Sequence, residues 1–432
     1  MLDIKLIRND PKAVEKKLKT KVPEASLDDV VRFDDRIRDI KAKVEQLKAR
    51  RNEASEIIGQ KKRKGEDASK LVEEMGSLGH EIHALDHELQ QLEPKFIDAL
   101  ARLPNLPFDD ILVSPNPQDN VVVKSWGKKP EFSYPFKNHV ELNEALQLFD
   151  FARAAKMTGS GWVAYKGMGA RLEWALLNYM IDTHIKNGFQ QWIPPVVVKK
   201  EVLFAAGQLP KFENQQYAVR DGEHDNYLIP TAEVALNGLY IDEILPEEAL
   251  PLKYMAYTPC FRREAGALGS QERGLIRMHQ FNKVEMFAFT RPDQSEGVFQ
   301  EFVRAGEQLL EGLDLHYRST LLVTGDMSFA AAKTIDIEVW LPGQNRYYEV
   351  SSVSNCTDYQ SRRSQVRFKE KGGKPQLVHT LNGSGLATSR LMVAILENNQ
   401  QADGSVNIPK VLQPYLGGID RILPGKLPLN LV

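Results

Sequence analysis

Residues 258–287 read TPCFRREAGALGSQERGLIRMHQFNKVEMF, and the two ends of this stretch decide the fold. At its C-terminal end Arg277, His279, Phe281, Lys283 and Glu285 fall on every second position, with Met278, Val284 and Met286 between them. Successive strand side chains point to opposite faces. The spacing therefore predicts a strand with one charged and aromatic face and one apolar face. At the N-terminal end, TPCFRREAG read as the antiparallel partner strand puts Arg262 and Glu264 on one face. A glycine-rich loop, GALGSQERG, joins the two. A floor carrying arginines, carboxylates and a phenylalanine is costly to build unless it binds something, because unpaired buried charge is penalised. Arginine forks suit phosphate oxygens, an exposed ring stacks on a flat base, and a carboxylate takes up an ammonium or a hydroxyl. The residues point to a nucleotide together with an amino acid. Charge pairing on a solvated strand would account for the charges but not for Phe281. His279 shares the face, and a structural hydrogen-bonding role is expected for it rather than a catalytic one.

The rest of the chain bounds what that floor can belong to. The 432 residues exceed one domain's usual share. The chain is 42% hydrophobic and 26% charged, ordinary for a globular protein. Its formal net charge of −2 gives no global attraction to polyanions, so nucleic-acid contact needs a local patch. Two cysteines, Cys260 and Cys356, lack metal-type spacing and fit a reducing compartment. MLDIKLIRNDP has no apolar leader core, and no apolar run approaches membrane-helix length. The expectation is a cytoplasmic protein with no membrane partner. No GxxxxGK[ST] loop occurs and no GxGxxG follows a strand, so the common nucleotide cradles are absent. KMTGS (156–160) and HIKNG (184–188) lack the residues that would make them synthetase signatures and are chance matches.

Residues 1–105 read as helical. Ile37, Ile40, Val44, Leu47, Ala54 and Ile58 step by three and four, with Arg51 in a missing core position. After GQKKRKGED (59–67), Leu71, Met75, Leu78, Ile82, Leu85, Leu89, Leu92 and Phe96 repeat a heptad. Two such stripes predict an antiparallel coiled-coil arm over about 27–64 and 67–102, roughly 50–55 Å long at 1.5 Å per residue. Gly76 and Gly79 weaken the second helix, and Pro94 is expected to kink it or start a new segment. From 36 to 64 eleven Lys and Arg face four Asp and Glu, giving +7; from 65 to 96 two face eight, giving −6. Charge alone points to interhelical pairing with a solvated tip at Lys61, Lys62, Arg63 and Lys64. The sharper alternative is a phosphate-backbone contact.

LPNLPFDD and SPNPQDN predict a linker over 106–120. From 121 to 432 helical stretches near 140–155 and 169–187 precede the strand-like runs WIPPVVV, PLKYMAYTP, LIRMHQFNKVEMFAF, TIDIEVWL and RYYEVSSVS. Closely spaced strands without regular intervening helices predict a mainly antiparallel sheet flanked by helices, hence α+β.

FRREAG…RGLIRMHQFNKVE resembles motif 2 (about 258–287) of class II aminoacyl-tRNA synthetases, in the version found in the seryl-tRNA synthetase family. KGMGARLEWALLNYM followed by WIPPVVV looks like motif 1 (about 169–198), with Pro194 in the proline position. PTAEVAL resembles the family's serine-binding segment, YYEVSSVSN its E-x-S-S-x-S-N strand, and LNGSGLATSRLMVAILENN motif 3 (about 381–398). The hairpin, the LPNLP linker and the catalytic body follow the family's order over essentially the whole chain.

The resemblance implies a ligase that forms seryl-adenylate from serine and ATP, then transfers serine to the terminal adenosine of tRNA(Ser), with tRNA(Sec) an open second substrate. It implies Arg262 on the α-phosphate and, with Arg390, as catalytic. Arg263, Glu264, Phe281, Val350 and Ser351 would join the ATP site, Glu264 reading the adenine amino group and Phe281 stacking on the ring. Arg277 and Arg390 would hold the β- and γ-phosphates. Glu349 and Ser352 would bind Mg²⁺, whose hard charge suits oxygen ligands. Positions 349 and 352 have opposite parity, however. That predicts a bulge or turn between them, or only one ligand. Thr231, Ala232, Glu233, Glu285 and Ser384 would form the serine pocket, leaving open which reads amine and which hydroxyl. Rejecting alanine needs buried groups left unpaired when the hydroxyl is missing. Motif 1 implies a homodimer, the arm a contact with tRNA, and the glycine-rich loop the place where the tRNA end arrives. Arg263 stands at a variable position. TGSGW (158–162) replaces a more usual Gly-Ser-Arg-Phe and is expected to touch none of these roles. The rival readings are a ligase that loads a carrier protein and a non-catalytic homologue. The basic-limbed arm argues against the first, and Arg262, Glu264, Phe281, Glu349 and Arg390 against the second.

Overall fold

The structure is a computed structural model and describes residues 1–264 and 274–425. The loop expected to receive the tRNA end lies outside the described residues. The chain divides into two compact units, Leu2–Pro104 and a second from Asn105 onward.

In the first unit, helix α1 (Asp28–Lys64) and helix α2 (Ser69–Ala101) form the expected hairpin. Gly65, at φ +74°, takes the left-handed position after α1 that glycine occupies without a Cβ clash. Ile40, Val44 and Ile82 are buried in the seam, with Leu47, Leu85, Leu89 and Leu92 packed on them. The two oppositely charged limbs face each other. Arg36 pairs with Glu88 at 2.7 Å, Lys41 with Glu93 at 2.8 Å and Lys43 with Glu81 at 2.7 Å. Interhelical pairing thus accounts for much of the charge segregation, although solvent screening keeps such exposed pairs weak. Of the two expected outcomes at Pro94, a new segment does not occur: α2 runs through the proline as one helix. The missing backbone bond costs about 3 kcal/mol, and Leu89 and Leu92 continue the seam packing beside it.

The segment expected to be a linker is built into the second unit. Asn105 N–H donates to the Phe329 carbonyl and Phe108 N–H to the Ala332 carbonyl, both at 2.9 Å. Ile111 is buried with Leu322 and Met327. Alternating prolines do force extended chain there, but its apolar residues find a surface to cover.

The second unit is organised on one sheet of β1 (Val121–Trp126), β2 (Gln190–Trp192), β3 (Leu252–Phe261), β4 (Gln280–Thr290), β5 (Tyr317–Leu321), β6 (Lys333–Leu341), β7 (Arg346–Asn355) and β8 (His379–Ala387). The spatial order is β1-β5-β6-β7-β8-β4-β3-β2. Only β2 with β3 is parallel; the other neighbours are antiparallel. The α+β expectation holds. WIPPVVV is not one strand, since Pro194 and Pro195 separate β2 from a short strand at Val197–Lys199. The stretch near 140–155 is two helices, His139–Leu146 and Phe151–Thr158.

Helices α3 (Met168–Lys186), α4 (Ser295–Gly312) and α5 (Thr388–Asn398) cover one face of the sheet. Leu176, Met180, Phe299, Phe302, Leu391 and Ile395 bury against Val284, Met286, Ala288, Ile337 and Val353. Along β4 the even positions therefore face the helices. The odd positions Phe287 and Phe289 face a second apolar cluster with Ala232, Leu236 and Tyr254. Phe281, Lys283 and Glu285 share that odd face but meet a cleft instead.

Candidate active site

The cleft has a volume of about 470 Å³, within the size of small-molecule sites. Arg262, Glu264, Arg277, Phe281, Glu349, Val350, Ser352 and Arg390 line it, together with Thr231, Glu233, Glu285 and Ser384. Three expected residues do not. Ala232 is fully buried in the second apolar cluster. Arg263 is exposed, tied by its N–H to the Gln215 carbonyl at 3.0 Å. Ser351 is buried on the helix side of the sheet, its hydroxyl donating to the Ser384 carbonyl at 2.5 Å.

The period-two reading holds from Phe281 onward and fails just before it. β3 ends at Phe261 and β4 begins at Gln280, so Arg262, Glu264, Arg277 and His279 lie beyond the strand ends. Glu264 has φ +47°, in the left-handed region. Its carboxylate meets the Arg277 guanidinium at 3.3 Å. The Arg262 guanidinium carbon lies 5.1 Å from the Phe281 ring centre, and its Nε donates to the Pro230 carbonyl at 3.3 Å. Arg390, third residue of α5, donates to the Glu349 carbonyl at 2.7 Å and the Ile276 carbonyl at 3.3 Å.

His279 does not line the cleft. Its Nδ1 lies 3.0 Å from the Tyr217 hydroxyl and 3.1 Å from the Arg262 carbonyl, and its ring stacks on Trp162 at 5.6 Å. It is structural, as expected, and it supports Arg262. The TGSGW segment consequently does touch the site's support, contrary to expectation. His279 N–H donates to the Gly161 carbonyl at 2.9 Å. A Cβ on Gly161, at φ +79°, would lie 2.6 Å from the histidine ring. Glycine is required there and tryptophan supplies the stacking surface.

At the other end of the floor, Glu285 pairs across the ladder with Ser384 of β8 and Ala256 of β3. Register slips beyond it, where Leu386 takes φ +89°. Such a conformation costs a bulky residue about 1–3 kcal/mol and is kept where the surroundings enforce it. Here it lies between Ser384 and the start of α5. Thr231 caps the helix Ala232–Asn237 and donates to Glu285 at 3.2 Å. Lys283, buried beside Glu285, forms an ion pair with it. Glu233 accepts from Gln360 at 2.6 Å and from Asn382 at 3.2 Å. Burial, and then the neighbouring Glu285 carboxylate, push Glu233 up to about 7. Lys283 and Asn382 belong to the cleft lining, a role the sequence reading does not assign them. The same parity marks both, Lys283 with Glu285 and Asn382 with Ser384.

The parity conflict between Glu349 and Ser352 is resolved by a bulge. Glu338 of β6 pairs with Glu349, and the next residue back, Ile337, pairs with Ser351. Val350 is left without a partner in that ladder. Opposite Ser352 stands Asp336, whose Oδ1 is buried with no hydrogen-bond partner among the described residues. Burial and the Glu349 carboxylate push Asp336 well above the usual carboxylate range. A carboxylate, a hydroxyl and an orphaned carboxyl oxygen form a hard donor set that fits Mg²⁺.

An antiparallel sheet whose motif 2 hairpin and motif 3 helix bring arginines to one cleft is the catalytic core of a class II aminoacyl-tRNA synthetase. Residues 211–399 match the family described as tRNA synthetase class II core domain (G, H, P, S and T), and residues 1–107 match the seryl-tRNA synthetase N-terminal domain. A serine–tRNA ligase of Chlamydia pneumoniae is 55% identical over 98% of this chain and 99% of its own length. That of Chlamydia abortus is 54% identical over 98% and 100%. The crystal structure of a Pyrococcus horikoshii seryl-tRNA synthetase complexed with ATP superposes with a TM-score of 0.92 at 37% identity, covering 99% of this chain and 100% of that one. The chain belongs to the seryl-tRNA synthetase family.

Proposed function

We propose that this cleft activates L-serine with ATP and passes it to tRNA(Ser), the chain being an ATP-dependent serine–tRNA ligase of class II. The observation that carries the reading is the order of side chains along one floor. Arg262 stands between Phe281, whose ring centre is 5.1 Å from its guanidinium carbon, and the Pro230 carbonyl next to Thr231, and Thr231, Glu285 and Ser384 meet beyond it. Nucleotide and amino acid can lie in line across it.

Adenine stacks on Phe281, with Glu264 accepting from its amino group. Arg262 grips the α-phosphate, and Arg277 and Arg390 hold the β- and γ-phosphates. Arg390 is the third residue of an eleven-residue helix, and the helix N-terminus adds a favourable field for phosphate. Thr231, Glu233, Glu285 and Ser384 hold serine by its ammonium and hydroxyl. The serine carboxylate is already ionised and needs no base. It attacks the α-phosphorus, pyrophosphate leaves, and Arg262 stabilises the charge that builds on the α-phosphoryl oxygens. In the second step the terminal adenosine hydroxyl attacks the seryl carbonyl and AMP leaves. Glu349 and Ser352 would hold Mg²⁺, which when bound neutralises phosphate charge. Val350 shapes the cleft wall between them.

The arm contacts tRNA through its exposed basic tip, by shape and backbone. A homodimer is supported by the motif 1 stretch, where Trp174 and Ile193 are 55% and 87% exposed. A cytoplasmic setting is supported by the buried free thiols of Cys260 and Cys356; among the described residues no helix is long and apolar enough to cross a membrane. Serine-dependent ATP–pyrophosphate exchange followed by charging of tRNA(Ser) tests the whole reading. Exchange without charging would indicate a carrier-protein ligase, and no exchange a non-catalytic homologue. The same assay with tRNA(Sec) decides the open second substrate.

A further inference from the structure

Behind the proposed serine pocket lies an amide whose polar atoms are all engaged. Gln360 is fully buried and does not line the cleft. Its Oε1 accepts from the Thr380 hydroxyl at 2.6 Å. Its Nε2 donates to Glu233 Oε1 at 2.6 Å and to the Ala206 carbonyl at 3.1 Å. Chemistry permits one orientation of this amide. Turned over, its oxygen would face the Ala206 carbonyl, which cannot donate, and its amide hydrogens would be withdrawn from the Glu233 carboxylate. The backbone is held as well, since Ser364 N–H donates to the Gln360 carbonyl at 2.9 Å.

The consequence falls on Glu233. Among the described residues, its two side-chain donors, Gln360 and Asn382, both reach Oε1. Oε2 is left for a donor in the cleft. The choice of amide also matters. Lysine or arginine in this place would neutralise Glu233 and compete with a substrate ammonium. A neutral donor orients the carboxylate and leaves its charge for the ligand.

We propose that Gln360 is a positioning residue for amino-acid recognition, locking the Glu233 carboxylate so that its free oxygen meets the substrate's ammonium or hydroxyl. This rests on reading the Thr231–Glu233–Glu285 cluster as the serine pocket. Thr380 sets the amide and the amide sets the carboxylate.

The test is serine-dependent ATP–pyrophosphate exchange by the full-length protein and its Gln360→Met, Thr380→Val and Glu233→Gln variants, with serine and ATP varied separately across pH. Gln360→Met is expected to raise KM for serine about tenfold or more, the loss of a charge-assisted hydrogen bond. KM for ATP and kcat should stay within about threefold of the parent. The acidic limb of kcat/KM for serine should move to higher pH, because a carboxylate that loses a donor is harder to ionise. Thr380→Val should change the same parameters in the same direction, less strongly. An unchanged serine KM in Gln360→Met beside a raised one in Glu233→Gln overturns the proposal. Unchanged values in both overturn the pocket reading on which it rests. Should Gln360→Met fail to fold, an unchanged serine KM and pH profile in Thr380→Val overturns it instead.

Discussion

Glu349 and Ser352 reach the same cleft from positions three apart on β7, because Val350 stands out of the ladder that pairs Glu349 with Glu338 and Ser351 with Ile337. Both donors then point one way on a strand that would otherwise aim them apart. Glu349→Gln and Ser352→Ala should each raise the Mg²⁺ concentration needed for half-maximal exchange, by about 10–100-fold. Direct titration of Mn²⁺ by electron spin resonance with ATP present should show the same weakening. Unaltered metal affinity in both variants would remove these residues from the metal site.

Arg262 is held from its backbone by His279 and from its Nε by the Pro230 carbonyl. A fork so placed should be indispensable. Arg262→Ala is expected to lower exchange about a thousandfold without unfolding the protein, in line with loss of a preorganised charge donor. Arg262→Lys should recover little, since an ammonium cannot make the forked contact. Near-normal exchange in either folded variant would contradict the role.

Glu233 carries a pH prediction. Burial and Glu285 hold its carboxyl up at about 7, against 4.5 for a free glutamate. Without serine, the folded state therefore binds a proton more tightly than the unfolded chain does. This contribution to stability is present below about pH 4.5 and is lost as pH rises through 7. Glu233→Gln should thus be more stable than the parent at pH 8, by about 1–3 kcal/mol, measured by urea unfolding. In the parent, kcat/KM for serine should rise with pH through about 7 as the carboxylate becomes available, and the variant should lack that rise.

The arm's cations divide into two sets. Arg36, Lys41 and Lys43 are engaged across the hairpin, whereas Lys62, Arg63 and Lys64 are exposed at its tip. Replacing Lys62, Arg63 and Lys64 by alanine should raise KM for tRNA. It should also reduce the salt dependence of binding, by about one slope unit for each phosphate that is no longer neutralised. Deleting 38–92 should spare exchange and destroy charging. Unchanged charging after the deletion would refute a tRNA role for the arm.

Local pattern reveals a large part of this molecule. The heptad stripes specify α1 and α2, since burial of a seven-residue stripe needs only a second stripe. The alternation of Phe281, Lys283 and Glu285 against Val284 and Met286 specifies which face of β4 is apolar. The same alternation misplaces His279 and cannot place Arg277, because β4 starts at Gln280 and the residues before it turn. Pro94 starts no new segment: the seam beside it continues, and packing outweighs one missing backbone bond. The 106–120 segment reads as a linker because prolines exclude helix, yet its apolar side chains and backbone donors find partners far away in the sequence.

What the sequence by itself determined is therefore the hairpin, the antiparallel sheet and the chemical inventory of the cleft, all of which depend on spacing between near neighbours. Only the tertiary structure decided that Val350 bulges, that Trp162 stacks beneath the support of Arg262, and that Gln360 stands behind Glu233. Each depends on the register of one strand against another or on packing between segments remote in sequence, a long-range choice that no local periodicity records.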